Sequence, residues 1–149
     1  MKARAIFSLF LFAASFNAAA ITQFKPAVLN AALLFEHDPT TGNVKHSLQW
    51  IRDLNGKLRA MTDVSYDSKG CFTHINMVDK ANIRVFHLIN KEGELTSFNG
   101  QRITGKVNGR CEITELENEV GKYTLSYNAR GLLETIVDKE TGEVVERYE

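Results

Sequence analysis

Eighteen basic and eighteen acidic residues cancel in a chain of 149, and they are scattered rather than blocked. That excludes a basic face for nucleic acid and a polybasic patch for anionic lipid. With two prolines, no low-complexity tract and no linker, the length suits one domain with a real core and is too short for two comfortable ones.

Residues 1–20 read as an export signal. Lys2 and Arg4 give a positive start, and Ile6 to Phe16 form an uncharged apolar run. Ala18-Ala19-Ala20 supplies the small-x-small pattern that signal peptidase cuts. The run is about half as long as a membrane-spanning helix requires, and no cysteine follows it to accept a lipid anchor. Cleavage there leaves residues 21–149 as a single antiparallel β domain in the periplasm or outside the cell. Loss of Lys2 and Arg4 takes its formal charge from 0 to about −2.

Residues 26–36 differ in pattern from the rest of the mature chain. Pro26 and the run Ala27 to Phe35 combine good helix formers with a proline suited to a first helical turn. An apolar first strand fits the same residues, so helix and strand both stand.

From Asp38 onward one turn signature recurs. Asp53-Leu54-Asn55-Gly56, Asp67-Ser68-Lys69-Gly70, Asn90-Lys91-Glu92-Gly93 and Asn128-Ala129-Arg130-Gly131 all read Asp/Asn-x-x-Gly. Asp38 to Gly42 and Asp138 to Gly142 are looser copies with one more residue. The acid or amide caps the turn with its side-chain oxygen, and the glycine supplies a left-handed backbone. Such turns close short hairpins.

Between the turns, side chains alternate with period two, the mark of strands. Val44, His46, Leu48 and Trp50 share one face, with Lys45, Ser47 and Gln49 on the other. Leu58 to Tyr66, Cys71 to Met77, Ile83 to Ile89, Leu95 to Phe98 and Arg102 to Val107 continue the pattern. Cys111 to Leu116, Lys122 to Tyr127, Leu132 to Val137 and Glu143 to Tyr148 complete about ten short strands. Short connections make neighbours antiparallel. So many strands do not stay flat, and the expected fold is an all-β antiparallel meander, curled or barrel-like.

Cys71 and Cys111, each just after a turn glycine, are the only cysteines. In an exported chain an even count at strand starts reads as a disulfide. Closing a loop of about 40 residues contributes about 4 kcal/mol in the chain-entropy model. Neither a Cys-x-x-Cys nor a helix start supports a redox pair.

Catalytic, cofactor and metal signatures do not emerge. His37, His46, His74 and His87 lack metal spacing. His46 and His87 sit on apolar strand faces and read as core histidines, and Asp38 beside His37 reads as a turn cap. Glu112, Glu115, Glu117 and Glu119 read as a solvated strand edge that resists aggregation, rather than as glycosidase carboxylates. Trp50, Tyr66, Phe72, Phe86, Phe98, Tyr123, Tyr127 and Tyr148 read chiefly as cross-strand pairs and core.

The chain carries two resemblances. Tyr66-Asp67-Ser68-Lys69-Gly70 and Tyr127-Asn128-Ala129-Arg130-Gly131 resemble the hairpins of YD-type repeats in bacterial surface proteins. Along the mature chain, the run Asp38-Pro39-x-x-Gly42-x-Val44-Lys45 with Phe24, Pro26, Phe35, Asp53 and Gly56 carries a closer likeness. Gly70-Cys71-Phe72, Gly109, Cys111, Glu115-Leu116 and Gly131 extend it. Together they resemble the YnfC-type family of uncharacterised enterobacterial envelope lipoproteins. Ala20-Ile21 stands where members carry a lipidated cysteine, and the chain ends earlier than they do, so a shortened, non-lipidated relative is expected. The resemblance implies an envelope location and brings no assigned activity.

The expectation is a non-enzymatic binding module of the cell envelope, with a protein or small-ligand partner, no cofactor and no nucleic acid. Hairpin loops on a rigid scaffold commonly carry recognition, and an open edge such as Glu143 to Tyr148 would accept a partner's strand. The alternative is a secreted inhibitor or immunity-like protein that sequesters an enzyme.

Overall fold

The computed structural model describes residues 24–81 and 83–149; the expected export signal, residues 1–20, lies outside them. Residues 26–36 settle as a helix, α1 (Pro26–Phe35), with Pro26 in the first turn. It ends where Glu36 turns left-handed at φ 54° and donates its amide to Ala32 O. Ten strands come after it: β1 (His46–Arg52), β2 (Leu58–Tyr66), β3 (Phe72–Asp79), β4 (Arg84–Lys91), β5 (Glu94–Gly100), β6 (Thr104–Val107), β7 (Ile113–Glu117), β8 (Lys122–Tyr127), β9 (Leu133–Asp138) and β10 (Val144–Arg147). Each pairs antiparallel with the next, in sequence order, as the turn spacing implies. The meander is not a closed barrel: β1 and β10 are its two edges.

One distance shows how far the sheet curls. Cys71 precedes β3 and Cys111 precedes β7, four places away in the ladder. A flat sheet would hold those strands about 19 Å apart. Their Cα atoms are 5.3 Å apart, and the two cysteines are bonded as expected. The disulfide therefore ties two hairpins across the bend.

The helix fills the hollow. Val28, Ala31 and Phe35 share one core with Val64, Tyr66, Phe72, Ile75, Phe86, Leu88, Ile113, Leu125 and Leu133, which come from both arms of the curl. Phe35 meets Phe72 edge-on at 5.7 Å and tilts against Phe86 at 6.0 Å. On the other arm buried Asn30 donates to Gly131 O (2.8 Å) and accepts the Leu133 amide (2.9 Å). Both backbone groups would otherwise be desolvated without partners.

The turns obey the signature with instructive exceptions. Asp53, Asp67 and Asn128 each accept, on one side-chain oxygen, the amides two and four residues on. Asn108 does the same with Arg110 and Glu112, a fourth copy of this turn that lacks the glycine signature. Cys111 itself takes the left-handed fourth position at φ 65°, so it sits in the turn and not after a turn glycine. The Asn90 turn is different: Lys91 pairs with Glu94, which leaves a two-residue loop with Glu92 and Gly93 both at positive φ. Asn90 reaches instead to Phe72 O at 3.0 Å. Asp38 starts no hairpin, because it lies between α1 and β1; the Gln49 amide grips its backbone N–H and carbonyl, at 2.8 and 2.7 Å.

Candidate binding surface

That grip explains the first correction. The register pairs Ser47 with Val64 and Gln49 with Thr62, so all four point inward, and the loop after α1 lies against Gln49. His46, Leu48 and Trp50 therefore face out. His46 is exposed rather than a core histidine, with Nε2 2.5 Å from Asp63 Oδ1. Trp50 (58 % accessible) and Phe98 (51 %) are surface aromatics, while Tyr66, Phe72 and Phe86 are core as expected.

The outer face of β1–β5 is consequently laid out in rows. Trp50, Met61, Val78 and Val85 lie directly opposite one another across four strands, forming an apolar row. Beside it run Leu48, Asp63, Asn76, His87 and Phe98. His87 is half-buried on this outer face, not in the core, with its ring 6.1 Å from His74 and 6.4 Å from Phe98. Arg52 covers Trp50 at 5.8 Å, a cation–π contact. Neighbouring exposed apolar side chains of this kind mark interaction surfaces more often than scattered single ones do.

The apolar row runs out to the β1 edge. Lys45 O accepts from Tyr66 N, so the backbone of the odd residues 45 to 51 points to β2. Leu48 and Trp50 therefore turn their N–H and C=O groups away from β2, towards the open side. The edge is seven residues long, carries Leu48, Trp50 and Ile51 exposed, and has one permanent charge, Arg52 at its end. It lacks the usual guards of an edge strand. β10, expected to be the partner-accepting edge, has those guards. It is four residues long, its register breaks between Val144 and Glu146, and Glu143, Glu146, Arg147 and Glu149 surround it.

The outer face of the second half is charged. Glu94, Lys106 and Glu115 face each other across β5, β6 and β7, with Lys139 3.2 Å from Glu115 and Lys122 3.9 Å from Glu117. These groups ring a cavity of about 260 Å³ in which acids and bases balance. The glutamate cluster is thus no solvated edge, because β7 lies inside the sheet. Its first member, Glu112, is buried and held by Asn108 Nδ2 (2.7 Å) and Arg110 (2.9 Å). Sequence reading missed that pairing; the Asn-x-x-x-Glu spacing of the fourth turn is the signal that could have found it.

Burial shifts four groups, Tyr66 upward among them. It lowers the His37 pKa, partly offset by the Asp38 carbonyl 3.2 Å from Nδ1, while Nε2 has no partner among the described residues. It raises the Tyr127 pKa, whose hydroxyl donates to Ile113 O at 2.7 Å. It also raises Tyr148, to about 12, helped by the bond its hydroxyl donates to Glu146. Among the described residues no three or more His, Cys, Asp or Glu converge on a point that would hold a metal ion. No described helix is long and apolar enough to cross a membrane.

An open antiparallel meander wrapped on one helix, with a stapled bend and unequal edges, is a small all-β scaffold whose distinctive surface is a strand edge. The sequence match runs its full length: residues 1–149 fit an uncharacterised protein family, UPF0257, and the chain belongs to it. No curated protein matches the chain.

Proposed function

We propose that this is an exported, non-enzymatic binding module of the cell envelope that recognises a polypeptide by accepting an added strand at β1. The observation that carries the reading is the unguarded β1 edge, continuous with the apolar row that begins at Trp50. Strand addition draws affinity from main-chain hydrogen bonds and selectivity from alternate side chains. Here Leu48 and Trp50 supply both, because their backbone groups and their side chains are accessible together. The disulfide suits an oxidising compartment, and the resemblance to YnfC-type envelope proteins suits the same location.

Photocrosslinking in the periplasm tests this. A photoreactive residue in place of Trp50 is expected to give a covalent adduct with one polypeptide, and the same residue at Val145 on β10 is not. No adduct at position 50, or equal adducts at both, would sink the reading.

A further inference from the structure

We infer that the strand added at β1 is the β1 of a second copy, paired antiparallel about Gln49 to give a two-fold dimer. This rests on the strand-addition reading. Three observations select that occupant.

The first is parity. Gln49 is the midpoint of the seven-residue strand, so a two-fold axis there overlaps all seven residues. It also opposes Leu48 with the second copy's Trp50, and both have outward-pointing backbone groups. In an antiparallel pair such residues exchange both hydrogen bonds. An axis placed one residue away, opposing Trp50 with itself, also satisfies the backbone but shortens the overlap.

The second is side-chain matching. Leu48 and the second copy's Trp50 would lie side by side on the outer face, twice by symmetry, as an apolar–aromatic cross-strand pair. The apolar row from Val85 to Trp50 then ends against the second copy's Leu48, and the second copy's row ends in the same way against Leu48 of the first. Arg52 comes opposite the second copy's His46, which Asp63 already holds, so the register brings a carboxylate to the guanidinium.

The third is exclusion of the head-to-tail alternative. β1 on β10 would build an open filament, but β10 is short, bulged and lined by charge. The isologous contact closes.

Sedimentation equilibrium of the purified protein across a micromolar concentration series tests the assignment. The expected mass is twice that of one chain. Trp50→Lys and Leu48→Lys are each expected to weaken the dimer on the order of a hundredfold, since each change acts twice and a central Trp is a typical hot spot. Val145→Lys is expected to leave it intact. Thermal unfolding of each variant separates a lost interface from a lost fold. Should either lysine variant fail to fold, protection of the Leu48 and Trp50 amides in the unaltered protein decides the same question. A single-chain mass at every concentration overturns the inference, as does a dimer indifferent to both lysines. A single-chain mass together with a crosslink from position 50 to a different polypeptide overturns the dimer and leaves strand addition standing. No crosslink at position 50 removes both.

Discussion

The first five strands and the last five are built on the same turn chemistry yet present opposite surfaces. β1 to β5 are seven to nine residues long and carry an outward row of Trp50, Met61, Val78 and Val85, ending at an unguarded edge. β6 to β10 are four to six residues long, carry Lys106 and Glu115 opposite Glu94 of β5, and end at an edge blunted by a bulge and by charge. Charges interspersed by sign keep a sheet face soluble and discourage wrong partners. One half carries opposed charges to its edge and the other an exposed apolar row, and the meander joins them through the bend.

The largest effect is expected from cutting the joint between the halves. Reducing Cys71–Cys111, or replacing both with Ala, is expected to remove about 4 kcal/mol from the folding free energy, because the closed loop spans about 40 residues. Denaturant unfolding with and without reductant measures it; coincident midpoints would mean the cysteines do not constrain the bend.

Asn30→Ala breaks the second joint, the one from α1 to the β8–β9 turn. It leaves Gly131 O and Leu133 N without their partner, at an expected cost of about 2–4 kcal/mol. The same unfolding experiment reads it. A loss under about 0.5 kcal/mol, the usual range for a surface change, would mean that the contact is not holding the helix in place.

The edges are sharpened by matched substitutions. Trp50→Lys and Val145→Lys should each change folding stability by no more than about 0.5 kcal/mol, since both side chains are exposed. Only the first should alter association. Equal effects on association would erase the contrast between β1 and β10.

The smallest expected effect is the pH dependence, and its sign differs between the two ends of the chain. Burial lowers the His37 pKa, so its contribution is present above the unfolded value near 6.5 and is lost as pH falls through the folded value. Burial raises Tyr127 and Tyr148, so theirs is complete below the unfolded value near 10 and is lost as pH rises through the folded values, about 12 for Tyr148. Unfolding midpoints followed from neutral pH in both directions should fall on the acid side with His37 and on the alkaline side with the tyrosines. His37→Gln should flatten the acid slope alone; an unchanged acid slope would place its cause elsewhere.

Much of this fold is written in local chemistry. The capped turns at Asp53, Asp67 and Asn128, the period-two runs and the cysteine pair all act within a few residues, or through composition, and each is legible. What escaped depends on tertiary register. Alternation told that His46, Leu48 and Trp50 share a face, but not which face turns inward. That is decided by Val64 and Thr62, the cross-strand partners of Ser47 and Gln49, and by Gln49 holding the Asp38 backbone. Apolar content pointed the wrong way, because the sheet keeps its most hydrophobic β1 residues for the outside. Glu112 read as solvent-exposed because the Asn108 turn that encloses it, with Arg110, ends in Cys111 and lacks the glycine that marks the other copies. The reading of Glu143 to Tyr148 as an edge holds, because β10 ends the sheet, but that β1 is the less guarded end is seen only once both ends are known.

Hydrogen exchange resolved at single amides tests the central claim most directly. If β1 accepts the β1 of a second copy, the Leu48 and Trp50 amides become protected as protein concentration rises, while the amides of β10 keep exchanging at one rate. If the Leu48 and Trp50 amides exchange equally fast at every concentration, the β1 edge is bare and the dimer is contradicted.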